Sequence, residues 1–183
     1  KTKEIVENIA NNDDAFKAVC NAKKGMMGWD MKQGLLCSKG NYLCVIDGDG
    51  QFPFEDISRC YNLIRSGHYD LVKTYRIKRN DGFYRKLISI VYNKLFSILF
   101  NGIESKDINS KPKIMTRETF ENLDLNSDDW FIDAEIMINI SRLGFKFQEI
   151  PTEFHALDNR QSFVKFAAIF EFIKNLVIYR FKK

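Results

Sequence analysis

The sequence predicts an α/β protein built on a mainly parallel sheet with helices against its faces, and three observations carry that reading. Apolar segments of strand length alternate with longer segments of helical period along the 183 residues. One of them, residues 42–46, is a continuous apolar run of the kind seen in strands covered on both faces. It stops at Asp47-Gly-Asp-Gly-Gln51, so an acidic turn stands where a strand leaves the sheet.

The elements follow in order. Ile5, Val6, Ile9 and Ala10 fall at helical spacing and predict a helix over 2–11. Residues 16–20 read as a short strand, 21–25 as a loop, and 26–38 as a helix interrupted by Gly28 and Gly34. After the strand at 42–46 and its acidic turn, 55–66 reads as a helix with Glu55 or Asp56 near its start, and 70–74 as a strand. A basic stretch from Lys73 to Lys86 leads into a strongly apolar helix over 84–100. Residues 111–116 read as a strand and 117–123 as a short helix. An amphipathic helix over 131–143 is closed by Gly144, the residue best suited to the left-handed helix end. The strand at 145–150 stops at Pro151, and a last helix covers 162–181. No repeat, linker or low-complexity segment interrupts the series, which suits one domain large enough to bury a core.

Composition narrows the class further. Hydrophobic residues are 45% of the chain, which excludes a disordered polymer. The net charge of +4 resides wholly in residues 163–183, through Lys165, Lys174, Arg180, Lys182 and Lys183 against Glu171. Such a tail is either a solvated helix end or a face for an anionic surface. Nucleic acid is the weakest of those surfaces, because the basic residues show no recognised motif and no regular interleaving with aromatics. The four cysteines make no C-x-x-C pair, so a reducing, cytosolic compartment is expected, and Cys44 reads as a core residue. The first residue is not Met and the first helix is already under way, so the start of the domain is expected to be missing.

The acidic turn carries the chemistry. In open α/β sheets, ligands bind beyond the carboxyl ends of the strands. Glycines on both sides of Asp49 let a ligand approach the backbone. Magnesium and manganese take oxygen ligands, typically one or two carboxylates together with substrate phosphates. Asp49, with Asp47 and Gln51, is therefore the candidate site for a divalent cation on a diphosphate. A plain Asp- and Gly-rich turn between a strand and a helix is the alternative for this segment alone. A calcium loop of the EF-hand kind is excluded, since no Glu stands at its twelfth position.

Asp47-Gly-Asp-Gly-Gln-Phe-Pro53 resembles the Asp-x-Asp segment of family 2 glycosyltransferases with the GT-A fold, in the branch of polyprenyl-phosphate (dolichyl-phosphate) sugar synthases. Further pieces agree in order. Asn21, Gly25, Gly34 and Gly40-Asn-Tyr resemble the segments before the acidic strand, and Asp70-Leu-Val-Lys-Thr-Tyr-Arg76 with Arg79 the segment after it. Asp107-Ile-Asn-Ser-Lys-Pro-Lys113 resembles the family's Asp-x-x-Ser-Gly-Phe-Arg/Lys segment. Asp133-Ala-Glu135 resembles its Asp-x-Glu helix start, and Glu149-Ile-Pro151 its Glu-Val-Pro strand.

The resemblance implies an inverting, metal-dependent transferase that takes a sugar from a GDP- or UDP-sugar. The acceptor it implies is a polyprenyl phosphate at the cytosolic face of a membrane. A saccharide acceptor and a catalytically inactive binding module are the alternatives. Asp47, Asp49 and Gln51 would lie at the donor diphosphate with Mg²⁺ or Mn²⁺. Arg76, Arg79 and Arg85, with Ser89, would hold phosphate, which suits the guanidinium fork. Asp107 would face the acceptor as a base or an orienting group. Lys78 and Lys86 read as solvated, Asp133 and Glu135 as acids placed by the helix dipole, and His155 as structural.

Three departures stand against the pattern. Lys111-Pro112-Lys113 replaces Gly-Phe-Arg/Lys after Asp107. Near the end, Leu157 stands where the family has Arg, and Arg160 where it has Gly, so Arg160 would supply the charge from a shifted position. The family's first strands, which hold the nucleoside, have no counterpart before Lys1. The expected organisation is a partial GT-A domain over 1–161. It is followed by an amphipathic helix over 162–183 that either caps the core or lies on a membrane surface.

Overall fold

The computed structural model describes residues 1–79, 83–100, 103–155 and 166–181, without the side chains of 78, 79, 83–88 and 166–172. Four strands, β1 (Tyr42–Val45), β2 (Leu71–Arg79), β3 (Lys113–Thr116) and β4 (Phe147–Phe154), form one sheet in the order β1-β3-β2-β4. β1, β2 and β4 run the same way, and β3 is inserted antiparallel between β1 and β2. The sheet is therefore mixed: three strands share the expected direction, yet the parallel ladder is that of β2 with β4. Periodicity reports burial rather than direction. β3 reads as a buried strand because it is central, with Lys113, Ile114 and Met115 all covered.

Seven helices complete the described residues: α1 (Thr2–Asn12), α2 (Met27–Cys37), α3 (Glu55–Ile64), α4 (Phe83–Leu99), α5 (Arg117–Asn122), α6 (Ile132–Arg142) and α7 (Phe166–Phe181). α3 covers one face of the sheet, where Cys60 and Ile64 meet Val72 and Ile114. The opposite face carries the larger core. There Leu43, Leu71 and Met115 share one cluster with Leu35 of α2, Phe96 of α4, the inner row of α6 and Leu176 of α7.

Several expected boundaries shift for physical reasons. Residues 16–20 form no strand, and Phe16 is exposed; β-forming residues hold a strand only where a neighbour supplies the ladder. β2 and β4 are longer than expected, because their ladder continues to Arg79 opposite Phe154, with an irregularity between Arg76 and Lys78. Pro151 does not end β4. It lies within that strand at the sheet edge, where a missing N–H costs no ladder bond. Cys44, expected in the core, is exposed, as is Tyr42 before it. β1 thus buries Leu43 and leaves its other face open, a correction to the strand covered on both sides. α6 ends as expected, with Gly144 at φ +72°.

α2 is not broken at Gly28. The first N–H groups of the helix bond to the loop before α6, Met26 N and Trp29 N to Asp128 O and Gly28 N to Asp129 O. A Cβ at Gly28 would sit 2.5 Å from Ser127 O and 2.7 Å from Asp129 O, and both are backbone atoms that cannot swing aside. Gly34, with nothing within 4 Å of its Cβ position, serves as the control. Gly28→Ala should lower stability in urea unfolding by about 1–3 kcal/mol through overpacking. Gly34→Ala should raise it by about 0.5–1 kcal/mol, as expected in a helix interior.

α7 docks with one face and presents another. Leu176 is buried, the Tyr179 hydroxyl donates to Glu135, and Asn175 Nδ2 bonds Asp129 Oδ2 at 2.9 Å. Ile173, Val177, Ile178 and Phe181 point outward beside the exposed Lys174 and Arg180.

Candidate active site

The site is assembled where β1 ends and β3 begins, beside β2. Since β3 runs against its neighbours, its first residue meets the carboxyl end of β1 and the third residue of β2. In this register Val45 faces Lys113, Lys113 faces Lys73, and Lys73 faces Glu149, one row across the four strands. The row lies two residues along from Leu43, Met115 and Leu71, and so on the same face as the main core. Charged side chains here are accordingly buried, and each has a counter-charge.

Lys73 is fully buried and donates to Glu149 Oε1 at 2.7 Å and to the carbonyl of Asp107 at 2.5 Å. Glu149 also accepts from Ser105 Oγ at 2.6 Å and Lys106 N at 2.9 Å. The two together pin the loop that carries Asp107. Asp107 takes a bidentate fork from Arg76, Nε to Oδ2 at 2.6 Å and Nη2 to Oδ1 at 2.8 Å, while the guanidinium also lies over the Phe154 ring. The structure thus brings two predicted residues, Arg76 and Asp107, into direct contact. Such a carboxylate is fixed in direction, which suits it to orienting an acceptor.

The acidic turn is held at both ends. Asp49 Oδ1 accepts from Gln51 N at 3.2 Å, closing an Asx turn with Gly50 at φ +71°. Gln51 is tied to the end of β4 in both directions: His155 N donates to Gln51 O at 2.9 Å, and Gln51 Nε2 to His155 O at 3.1 Å. Asp47 Oδ1 accepts from Lys111 Nζ at 2.8 Å. Lys111 also reaches Asp133 Oδ2 at 3.4 Å, and Lys113 bonds Asp133 Oδ1.

Two buried ammonium groups therefore share one buried carboxylate. Burial lowers the affinity of Lys111 for its proton, but Asp133 and Asp47 more than reverse this and hold it above its ordinary value. Among the described residues Lys113 has no second acid, and burial brings it down to about 8 despite Asp133. Burial would raise Asp133, yet the two lysines hold its carboxyl below the usual range. Asp133 and Glu135, read from sequence as acids placed by the helix dipole, are both held by side-chain bonds. Glu135 accepts from Asn126 N, Ser127 N and the Tyr179 hydroxyl.

Of the other predicted residues, only Ser89 has a described side chain. Ser89 accepts a long 3.5 Å contact from Asn93 one turn on in α4. Arg79 closes β2 and Arg85 lies in α4, with side chains outside the described residues, and Arg160 lies outside them altogether. Among the described residues no group of three His, Cys, Asp or Glu side chains could hold a metal ion. The donor set would fit a divalent cation in one way, with a carboxylate from Asp49 and further oxygens from a bound diphosphate. Sequence reasoning missed Lys73, Glu149, Lys111 and Lys113 as a buried charge network. The signal was present in Glu149, an acid in a strand that pairs with a strand carrying a lysine among apolar residues.

Fold and turn together define a GT-A-type α/β domain. The chain belongs to glycosyl transferase family 2, whose pattern matches residues 1–123. It is 26% identical over 159 residues to glycosyltransferase AglD of Haloferax volcanii, covering 84% of this chain and 25% of that protein. It is 24% identical over 178 residues to the dolichyl-phosphate beta-glucosyltransferase of Dictyostelium discoideum, covering 85% of this chain and 50% of the relative. The Saccharomyces cerevisiae protein of the same name is 24% identical, with coverages of 95% and 57%. Among solved structures, glucosyl-3-phosphoglycerate synthase of Mycobacterium tuberculosis superposes with a TM-score of 0.71 at 15% identity, over 95% of this chain and 63% of that one. The chain thus spans between a quarter and about two thirds of these relatives' lengths.

Proposed function

We propose that this chain carries the metal- and acceptor-facing part of an inverting glycosyltransferase that moves a sugar from a nucleoside-diphosphate sugar to a polyprenyl phosphate. The observation that carries the reading is the acidic turn, fixed at the carboxyl end of β1, with the Arg76–Asp107 pair on β2. Asp49 would hold Mg²⁺ or Mn²⁺ on the donor diphosphate, with Gln51 fixing the turn. When bound, the cation neutralises charge on the leaving nucleotide. The solved mycobacterial synthase with Mn²⁺, UDP-glucose and phosphoglyceric acid supports that assignment.

The acceptor reading rests on chemistry shared by the relatives. Their names specify dolichyl phosphate and 3-phosphoglycerate, and both carry a phosphate. A phosphate is already anionic near neutral pH and needs no strong base. This matches an Asp107 whose oxygens are engaged by Arg76. Arg79, Arg85 and Arg160 remain candidates for phosphate contacts by sequence. The outward row of α7, apolar residues beside Lys174 and Arg180, suits a helix resting on an anionic membrane surface. No helix among the described residues is long and apolar enough to cross one.

The full-length protein, expressed with membranes, should transfer labelled sugar from UDP-glucose or GDP-mannose into polyprenyl phosphate, and only with a divalent cation. Sugar nucleotide consumed without lipid labelling would move the acceptor to a saccharide. No consumption of either donor would sink the transferase reading for those donors.

A further inference from the structure

The loop that carries Asp107 is held from two sides. On the side of β4, Glu149 accepts from Lys106 N at 2.9 Å and from Ser105 Oγ at 2.6 Å. Its partner Lys73, 2.7 Å away, donates in turn to Asp107 O at 2.5 Å. On the side of α4, Asn93 takes the part of a neighbouring strand. Its Oδ1 accepts from Ile108 N at 3.3 Å and its Nδ2 donates to Lys106 O at 3.4 Å. Lys106 N, Lys106 O, Asp107 O and Ile108 N are therefore all bonded to side chains from other elements.

We propose that Glu149, Lys73 and Asn93 are positioning residues for the acceptor: they fix the backbone on both sides of Asp107, so that the Arg76–Asp107 pair meets the acceptor with its aim already set. Arg76 stands on β2 and is held by the sheet, whereas Asp107 stands on a loop. The loop is the half of the pair that needs fastening, and the fastenings are on it. A loop that had to order on binding would subtract its ordering cost from acceptor affinity. The Lys73 and Glu149 side chains are 0% and 6% exposed, and stability alone gives such a pair little reason to exist. Removing two charges from water offsets most of their attraction, so apolar residues of similar volume serve a core as well. What an apolar pair could not supply is the three bonds to Ser105, Lys106 and Asp107. The inference deepens the acceptor reading and rests on it for the role of the Arg76–Asp107 pair.

The test separates aim from stability in the full-length protein, expressed with membranes, with UDP-glucose or GDP-mannose as donor and a polyprenyl phosphate as acceptor. Lys73→Met combined with Glu149→Leu removes both charges together, so neither is stranded, and its urea midpoint should stay near that of wild type. Its kcat/KM for the acceptor should fall roughly 10–100-fold, the scale of loss from a small misplacement. KM for the donor should not move, and amide hydrogen exchange over 105–108 should quicken. Asn93→Ala, which leaves the ion pair alone, should lose about fivefold toward the acceptor, the worth of one hydrogen bond. Combined with the double variant it should add less than its own factor, because a loop already loose has little left to release. Wild-type acceptor kinetics in both variants, or an equal loss toward donor and acceptor, overturns the proposal. Exchange over 105–108 that stays at the wild-type rate does the same. Should the double variant not fold, Asn93→Ala decides by the same two readouts. If wild type labels no lipid but transfers to a saccharide, the comparison is made with that acceptor. If wild type transfers to neither, the acceptor reading fails and the proposal fails with it.

Discussion

Asp133→Ala is expected to cost about 3–5 kcal/mol of folding stability, the range measured when one partner of a buried ion pair is removed. Asp133 is completely buried at the first turn of α6 and is the acid that Lys111 and Lys113 share. Without it, the Lys113 ammonium lies in the sheet with no counter-charge, and Lys111 keeps only Asp47. The pH dependence separates this cause from simple loss of packing. Asp133 has a folded pKa below its ordinary value, so its contribution is present above about pH 4 and fades as pH falls through the folded value. Lys113 acts in the opposite sense. Its folded pKa, already about 8, lies below the unfolded value, and removing Asp133 lowers it further. The folded variant then sheds the proton before the unfolded chain does, so its stability should climb with pH up to the ordinary lysine value. Urea unfolding of both proteins at pH 6 and pH 9 should show the deficit shrinking at the higher pH. A deficit equal at both would assign the loss to packing alone.

What sequence revealed and what it hid divide along a physical line. The acidic turn was legible because its residues are consecutive, and the helices α2, α3, α4 and α6 because their apolar spacing repeats over about three turns or more. The direction of β3 was not legible, since apolar patterning is the same for either direction. Residues 16–20 have strand composition but no partner, and no local signal records that absence. Lys73 read as the start of a basic stretch because Lys78, Arg79, Arg85 and Lys86 follow it. Its burial depends on Glu149, 76 residues away in sequence and opposite it in the ladder. The same holds for Lys111, whose partners Asp47 and Asp133 lie in different elements. Its importance showed in sequence only as a break in the family pattern.

Asp49→Ala should lower metal-dependent sugar transfer by roughly 10²–10³-fold, the loss seen when a single group stabilising developing charge is removed. The size of the loss reflects how little of the metal's shell the turn would supply. Asp47 is committed to Lys111, and Gln51 spends its side chain on His155 O. Under the proposed function Asp49 is the turn's ligand for the cation. Its closure of the Asx turn through Gln51 N also aims it, so alanine removes both the ligand and the aim. The diphosphate would still carry the ion, which gives the loss a distinctive form. Raising Mn²⁺ should recover part of the rate in the variant, and nucleotide affinity in EDTA should match wild type. Rate measured against Mn²⁺ concentration distinguishes this from damage to the fold, which no concentration of metal repairs. A variant that transfers sugar at the wild-type rate at low Mn²⁺ would place the cation away from this turn. The carboxyl end of β1 would then serve the fold alone.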